Sequence, residues 1–257
     1  MRRWGQNFLA DRPQLDRLVE ALQLSPEDRV VEVGPGLGAL TVALAENTGA
    51  VVGIEIDPAA VKALALSLRD RSNVRIISGD ILRTPVGQLL PAPYRVIGNI
   101  PYNLTGALFT HLLEQPTPPA RIDLLVQQEV AERLVAAPGG WSLATLGVRV
   151  YGKPELVLRV PRTAFVPQPK VDSALVRIVP DAEPALPRAE LPSFFTFVTP
   201  FFQARRKQLP FVIGRKLGIS GAEARARLTV IGIDPARRAE TLTLDEWRRL
   251  FENERAR

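Results

Sequence analysis

The 257 residues are 46% apolar and 23% charged, enough for one or two buried cores at roughly 150 residues per domain, which excludes a disordered or fibrous chain. Cysteine is absent, ruling out disulfides, thiolate zinc sites and cysteine nucleophiles, and a single histidine, His111, argues against histidine-based metal or triad chemistry. The net charge of +6 is confined to the last third: residues 185–257 hold 14 Lys or Arg against 8 Asp or Glu, while residues 1–184 hold 19 of each, an asymmetry that points to a polyanion, nucleic acid before membrane.

Met1-Arg2-Arg3 leads into polar Gln6, Asn7 and Asp11 rather than an apolar signal core, and no apolar run reaches the roughly 18 residues that span a bilayer. The expectation is a cytoplasmic protein with no membrane attachment. From residue 12 to 178 short β-branched runs alternate with helical patterns, the grammar of a mostly parallel sheet covered by helices on both faces. Strands are expected at 30–33, 50–55, 74–77, 94–97 and 122–126, with helices at 14–22, 37–46, 58–68 and 104–113 between them. His111 shares the last of these helices with Leu108, Phe109 and Leu112 and reads as a packed residue. Two further strands, 154–160 and 171–179, flank a Pro-rich turn and suit an antiparallel edge. Residues 179–192 hold several prolines and read as a linker. Beyond it, 193–203, 221–231 and 243–253 predict a small helical domain whose last helix opens on a Thr243 capping box. The expected division is therefore a catalytic domain over 1–178, the linker 179–192, and a basic helical domain over 193–257.

Glu32-Val33-Gly34-Pro35-Gly36-Leu37-Gly38 follows the first main strand and opens a helix. Glycines there permit a tight turn and let a ligand approach main-chain N–H groups. The pattern fits a dinucleotide fingerprint (Gly34, Gly36, Ala39) and equally the first motif of class I methyltransferases, which bind S-adenosylmethionine. Glu55 ends the second strand, where a carboxylate accepts protons from ribose hydroxyls in either kind of site. Asp80 ends the third, where these methyltransferases bind the adenine amino group. Asp57 and Asp80 also precede helix-like stretches, so helix capping accounts for either acid taken alone.

Gly98-Asn99-Ile100-Pro101-Tyr102-Asn103 at the end of the fourth strand separates the two readings. It resembles the Asn-Ile-Pro-Tyr type motif of methyltransferases acting on exocyclic amines of nucleobases. Adenine N6 is a poor nucleophile because its lone pair is delocalised into the ring. The Asn99 side-chain oxygen and a backbone carbonyl of the turn can each take an N6 proton and stabilise the charge that develops on nitrogen. Pro101 stiffens the turn, and Tyr102 offers a π-face to the extruded base.

With these motifs in place the chain resembles the KsgA-type (RsmA) small-subunit ribosomal RNA adenine dimethyltransferases. The likeness runs from Gly5-Gln6-Asn7-Phe8-Leu9 through Gln127–Leu134 to Phe165–Ser173 and the basic segment Phe202–Lys207. It implies a Rossmann-like class I methyltransferase fold, mostly parallel sheet with helices on both faces, plus the small all-helical C-terminal domain. It implies S-adenosylmethionine held by Gln6, Asn7, Leu9, Gly34, Gly36, Glu55, Ile56, Asp80, Ile81 and Asn99. Asn99, Pro101, Tyr102 and Phe165 would handle the target base, with Tyr102 on one face and Phe165 on the other. The implied activity is N6,N6-dimethylation of two adjacent adenines in the 3′-terminal hairpin loop of small-subunit rRNA, by a monomer acting on a pre-ribosomal particle.

Read alone, a Phe before a Pro-rich turn plugs a core. Arg205, Arg206, Lys207, Arg215, Lys216, Arg248 and Arg249 are the expected RNA contacts, with Arg237-Arg238 a further basic pair; a solvated helix face explains such clusters equally well. Two departures from the family pattern fall where RNA is handled: Pro138–Leu146 lacks the usual Tyr-Gly-Arg-Leu, and Arg-Arg-Lys is followed by Gln-Leu-Pro rather than Thr-Leu-x-Asn. A large-subunit rRNA adenine methyltransferase of the macrolide-resistance type and a non-catalytic nucleic-acid-binding factor of the same fold stay open as alternatives.

Overall fold

The β-branched runs form strands and the 3.6-period segments between them form helices, in a computed structural model that describes residues 7–101 and 104–255. In chain order the elements are β1 (Phe8–Leu9), α1 (Arg12–Leu22), β2 (Arg29–Val33), α2 (Ala39–Asn47), β3 (Ala50–Glu55), α3 (Pro58–Ser67) and β4 (Val74–Ser78). There follow β5 (Arg95–Asn99), α4 (Thr105–Leu113), β6 (Arg121–Gln127), α5 (Gln128–Val135), α6 (Leu143–Arg149), β7 (Gly152–Val160), β8 (Phe165–Val166) and β9 (Ser173–Pro180). Four helices complete the chain: α7 (Leu191–Gln203), α8 (Leu209–Leu217), α9 (Gly221–Val230) and α10 (Leu244–Arg255).

Seven strands form one mixed sheet in the order β4-β3-β2-β5-β6-β9-β7, with helices on both sides. From β4 to β6 all neighbours are parallel, and β9 runs antiparallel to β6, pairing Ile122 with Ile178 and Gln127 with Ser173. The chain steps outward from β2 to β3 to β4 and then returns to place β5 on the other side of β2. Such a reversal opens a crevice at the carboxyl ends of the two strands, where α/β sheets bind ligands. Parallel register brings Val33, Glu55 and Asn99 to that same edge. A separate two-residue ribbon pairs β1 with β8, Phe8 opposite Val166 and Leu9 opposite Phe165.

The core on one side of the sheet joins Leu15, Leu18 and Leu22 of α1 to Leu40 and Leu44 of α2 and to Leu9, Phe165, Ile97 and Leu125. At the opposite strand ends, Asp123 is fully buried and gathers three guanidinium groups. Arg177 Nε reaches Oδ1 at 2.7 Å, Arg121 Nε reaches Oδ2 at 2.7 Å, and Arg95 reaches Oδ2 at 3.2 Å and Asp28 at 2.6 Å. The same guanidiniums donate to the last carbonyls of α1: Arg177 to Ala21, Arg95 and Arg121 to Leu22, and Arg95 also to Gln23. These carbonyls have no partner inside the helix, and cations there oppose the negative end of its dipole.

The chain divides into two compact units, one of residues up to 132 with 153–180 and another of 133–152 with 181 onward. This differs from the expected division at 178 and 193. Residues 133–152 carry α6 into the second unit because their backbone is bonded there: Asp181 N–H to Tyr151 O and Ala185 N–H to Val150 O, both at 2.7 Å, and Gly139 N–H to Glu240 O at 2.7 Å. The proline-rich stretch is accordingly not a free linker. β9 runs on to Pro180, Leu186 is buried, and α7 begins at Leu191. The second unit closes over aromatic edges between α7 and α10, Phe194 against Phe251 at 5.4 Å and Phe201 against Trp247 at 5.3 Å.

Candidate active site

Gly34, Gly36 and Gly38 all have positive φ (66°, 59° and 88°), so the glycine turn winds through backbone space closed to most side chains. At Gly36 a Cβ would also stand 2.7 Å from the Phe8 ring, which lies directly on the turn. The turn delivers the chain to α2, whose N-terminal Gly38 supplies no side-chain cap, leaving the first N–H groups of the helix for another acceptor.

Beside this turn is a cavity of about 260 Å³. Asn7, Leu9, Gly34, Glu55, Ile56, Asp80, Ile81, Asn99 and Pro101 of the expected site all line it, so residues up to 94 positions apart meet at one strand edge. Gly36 is absent from the lining, and its N–H donates to Glu55 Oε2 at 2.9 Å. Gln6 and Tyr102 lie outside the described residues.

Each acid also serves the backbone. Glu55 is fully buried, and its Oε1 accepts the Asp57 N–H at 2.9 Å while Oε2 holds Gly36. These two bonds fix the orientation of the carboxylate. Asp80 Oδ1 accepts the Leu82 N–H at 3.0 Å and caps a short 3₁₀ turn, so the capping explanation and the lining of the cavity hold together for this residue. Asp57 caps α3 through the Ala59 N–H and is a capping residue.

The Asn99 amide is pinned. Its Nδ2 donates to the Asn7 carbonyl at 2.8 Å, which turns the amide oxygen to the other side of the group. The segment carrying Asn7 is held by β1 pairing with β8, by the Ala10 N–H on Ala164 O at 2.9 Å, and by Phe8 on the glycine turn.

Phe165 departs from its expected place. Its ring is 2% exposed, packed in the core with Leu9 and Leu175, and absent from the cavity lining. The apolar environment takes the ring, so no open face is offered to a base, and the residue's visible part is to fix the β1–β8 ribbon. His111 is likewise structural: its Nε2 is 2.9 Å from Thr84 O, in the loop that follows Asp80.

Glu32, at the head of the glycine motif, has no role assigned from sequence. It lies 1% exposed on the cavity wall, and its Oε2 has no hydrogen-bond partner among the described residues. Burial pushes its carboxyl up to about 8, the Thr41 hydroxyl opposing and the Glu55 charge adding to the rise. An acid inside the apolar run Val30-Val31-Glu32-Val33 was the available signal, since buried parallel strands rarely hold one.

In the second unit, Arg205, Arg206, Lys207, Arg215 and Lys216 are exposed and form no ion pair among the described residues. Arg249 is exposed, whereas Arg248 is half-buried and sits 3.6 Å from Asp245. Arg237 is committed internally to Glu246 and Thr241.

The model of a family described as ribosomal RNA adenine dimethylase matches residues 1–254. A Dehalococcoides mccartyi (strain CBDB1) protein named ribosomal RNA small subunit methyltransferase A is 41% identical over 248 residues, covering 96% of this chain and 85% of its own. Among solved structures, the 23S rRNA methyltransferase ErmE is 32% identical with a TM-score of 0.74, over 96% of this chain and 99% of that one. A dimethyladenosine transferase from Plasmodium falciparum shares the fold at 22% identity and a TM-score of 0.78, over 95% of both chains. The Rossmann-like sheet, the Asn99 turn and the match over 1–254 agree, and the chain belongs to the ribosomal RNA adenine dimethylase family.

Proposed function

We propose that the protein transfers methyl groups from S-adenosylmethionine to N6 of two adjacent adenines in the 3′-terminal hairpin loop of small-subunit rRNA, giving N6,N6-dimethyladenosines. The carrying observation is the pinned Asn99 amide at the cavity edge, its N–H held by Asn7 and its oxygen left on the opposite side. The named relative supports the small-subunit choice, being 41% identical, against 32% for the 23S rRNA enzyme.

The cavity fits the cofactor's chemistry. Glu32 Oε2 is an orphaned buried acceptor suited to an ammonium group. The α2 N-terminus supplies unsatisfied N–H donors for a carboxylate. The Glu55 carboxylate lines the cavity as an acceptor suited to ribose hydroxyls, and the second oxygen of Asp80 suits an adenine amino group. Asn7, Leu9, Gly34, Ile56 and Ile81 complete the wall, with Gln6 and Gly36 assigned on resemblance. When bound, S-adenosylmethionine supplies an electrophilic methyl group on a positively charged sulfur.

The chain's own residues prepare the nucleophile. The Asn99 oxygen accepts one N6 proton and a carbonyl of the Asn-Ile-Pro turn accepts the other, drawing the lone pair out of the ring. Pro101 fixes the turn, and Tyr102 is assigned to the face of the base. The nitrogen that results is acidic enough to lose its proton to water, so no strong base is required of a chain with one histidine. Arg205, Arg206, Lys207, Arg215, Lys216, Arg248 and Arg249 are assigned to RNA phosphates. The setting is a pre-ribosomal particle in the cytoplasm, met by a monomer; among the described residues no helix is long and apolar enough to cross a membrane.

Mass spectrometry of both rRNAs after incubation of purified subunits with the protein and labelled cofactor tests the reading. Dimethyladenosine at adjacent positions of the small-subunit rRNA is expected. Label confined to the large subunit transfers the assignment to the alternative, and no label on any adenine rejects enzymatic function.

A further inference from the structure

Phe211 is the one large aromatic side chain the second unit leaves substantially open among the described residues, 49% exposed on the first turn of α8. Leu209, Pro210, Val212 and Ile213 of the same helix turn inward. Lys207 places its ammonium 4.9 Å from the Phe211 ring centre, and Arg205 and Arg206 adjoin it in the chain. Arg215 follows Phe211 by four residues, one turn along the same helix face, and is also exposed. No acidic group pairs with any of these four cations among the described residues. Phe211 occupies the Asn position in the departure noted above, where Gln-Leu-Pro-Phe stands for Thr-Leu-x-Asn. A planar ring therefore stands inside a stretch, Arg205 to Lys216, that holds five cations and no acid.

From this juxtaposition of an open ring and unpaired cations we propose that Phe211 is a stacking platform for an unpaired RNA base, with Arg205, Arg206, Lys207 and Arg215 holding the flanking phosphates. A solvent-facing ring pairs with any base because every base has a π-face, and the cations complement the backbone on either side. An acidic peptide would satisfy the charges but has no general need of the ring. The inference rests on the proposed RNA substrate and adds a binding residue to the basic segment.

The test compares a fluorescent short oligoadenylate with an abasic ribose-phosphate oligomer of the same length, binding to the full chain. Wild type is expected to prefer the base-bearing oligomer by about tenfold, within the range for one stacked base. Phe211→Ala and Phe211→Leu should erase that preference while keeping the salt dependence of binding, because the phosphate contacts persist. Phe211→Trp should keep the preference and show added indole emission that the oligoadenylate quenches. Equal binding of the two oligomers by wild type, an unchanged preference in Phe211→Ala, or unquenched emission in Phe211→Trp would overturn the platform. Equal competition by an acidic peptide would overturn it too, in favour of a purely charge-reading surface. Wild-type methylation of small-subunit rRNA, measured in parallel, separates the two failures: transfer without a Phe211 effect rejects the platform alone, whereas absence of transfer rejects the proposed enzymatic function on which it rests.

Discussion

Asn99 commits its N–H to the Asn7 carbonyl, so the direction of its oxygen is set by the backbone of a distant segment rather than by its own rotamer preference. Asn99→Ala removes both the acceptor and this tether. Turnover in single-turnover methyl transfer should fall by roughly two to three powers of ten, with cofactor affinity, read by calorimetry, changed far less. Glu32 makes a second, pH-dependent expectation. Its folded carboxyl, at about 8, lies above the ordinary 4.5, so the folded state binds the proton more tightly than the unfolded chain. That contribution is complete below about 4.5 and is lost as pH rises through about 8, so wild-type stability should decline across this interval by on the order of a few kcal/mol. Glu32→Gln should flatten the decline, as measured by urea unfolding at several pH values. Sequence pattern singled out Asn99 through the Asn-Ile-Pro-Tyr string at a strand end. It left Glu32 unassigned because its isolation is a matter of three-dimensional surroundings.

Among elements, the long β-branched runs were legible: β3 occupies 50–55 as expected, and β2, β4, β5 and β6 differ from the sequence reading only at their ends. The β1–β8 ribbon was not, since two residues carry no period, yet it is the ribbon that brings Asn7 to Asn99. α8 was missed for a related reason: Pro210 and Gly214 obscure the helical pattern, although proline in the first turn is compatible with a helix. Residues 133–152 were misplaced because their membership of the second unit depends on backbone bonds to 181, 185 and 240, which no local pattern announces. α1 leads directly from the ribbon, and its far end is fastened by the Asp123 cluster. Asp123→Asn, which strips the charge from that cluster, should destabilise the protein by about 3–5 kcal/mol in urea unfolding. Preserved stability would mean that the carbonyl bonds of Arg95, Arg121 and Arg177 suffice to hold α1.

Over the whole molecule the excess positive charge belongs to residues 185–257, and the acids of the cavity belong to the first unit. Under the proposed function, binding of a polyanion and handling of the reacting groups fall to different stretches of chain. Reversing charge at Arg205, Arg206 and Lys207 together should weaken RNA binding and lower the slope of log affinity against log salt by roughly two, as expected for three lost single-strand phosphate contacts. An unaltered slope would assign the cluster to solvent. The Asp123 cluster bears on the chain's history as well. One carboxylate binds guanidiniums from β5, β6 and β9, so a change at that position leaves Arg121 and Arg177 without an acidic partner among the described residues and Arg95 with Asp28 alone. The aspartate and its arginines are therefore expected to vary across relatives as a set rather than singly, since either loss alone leaves buried charge behind.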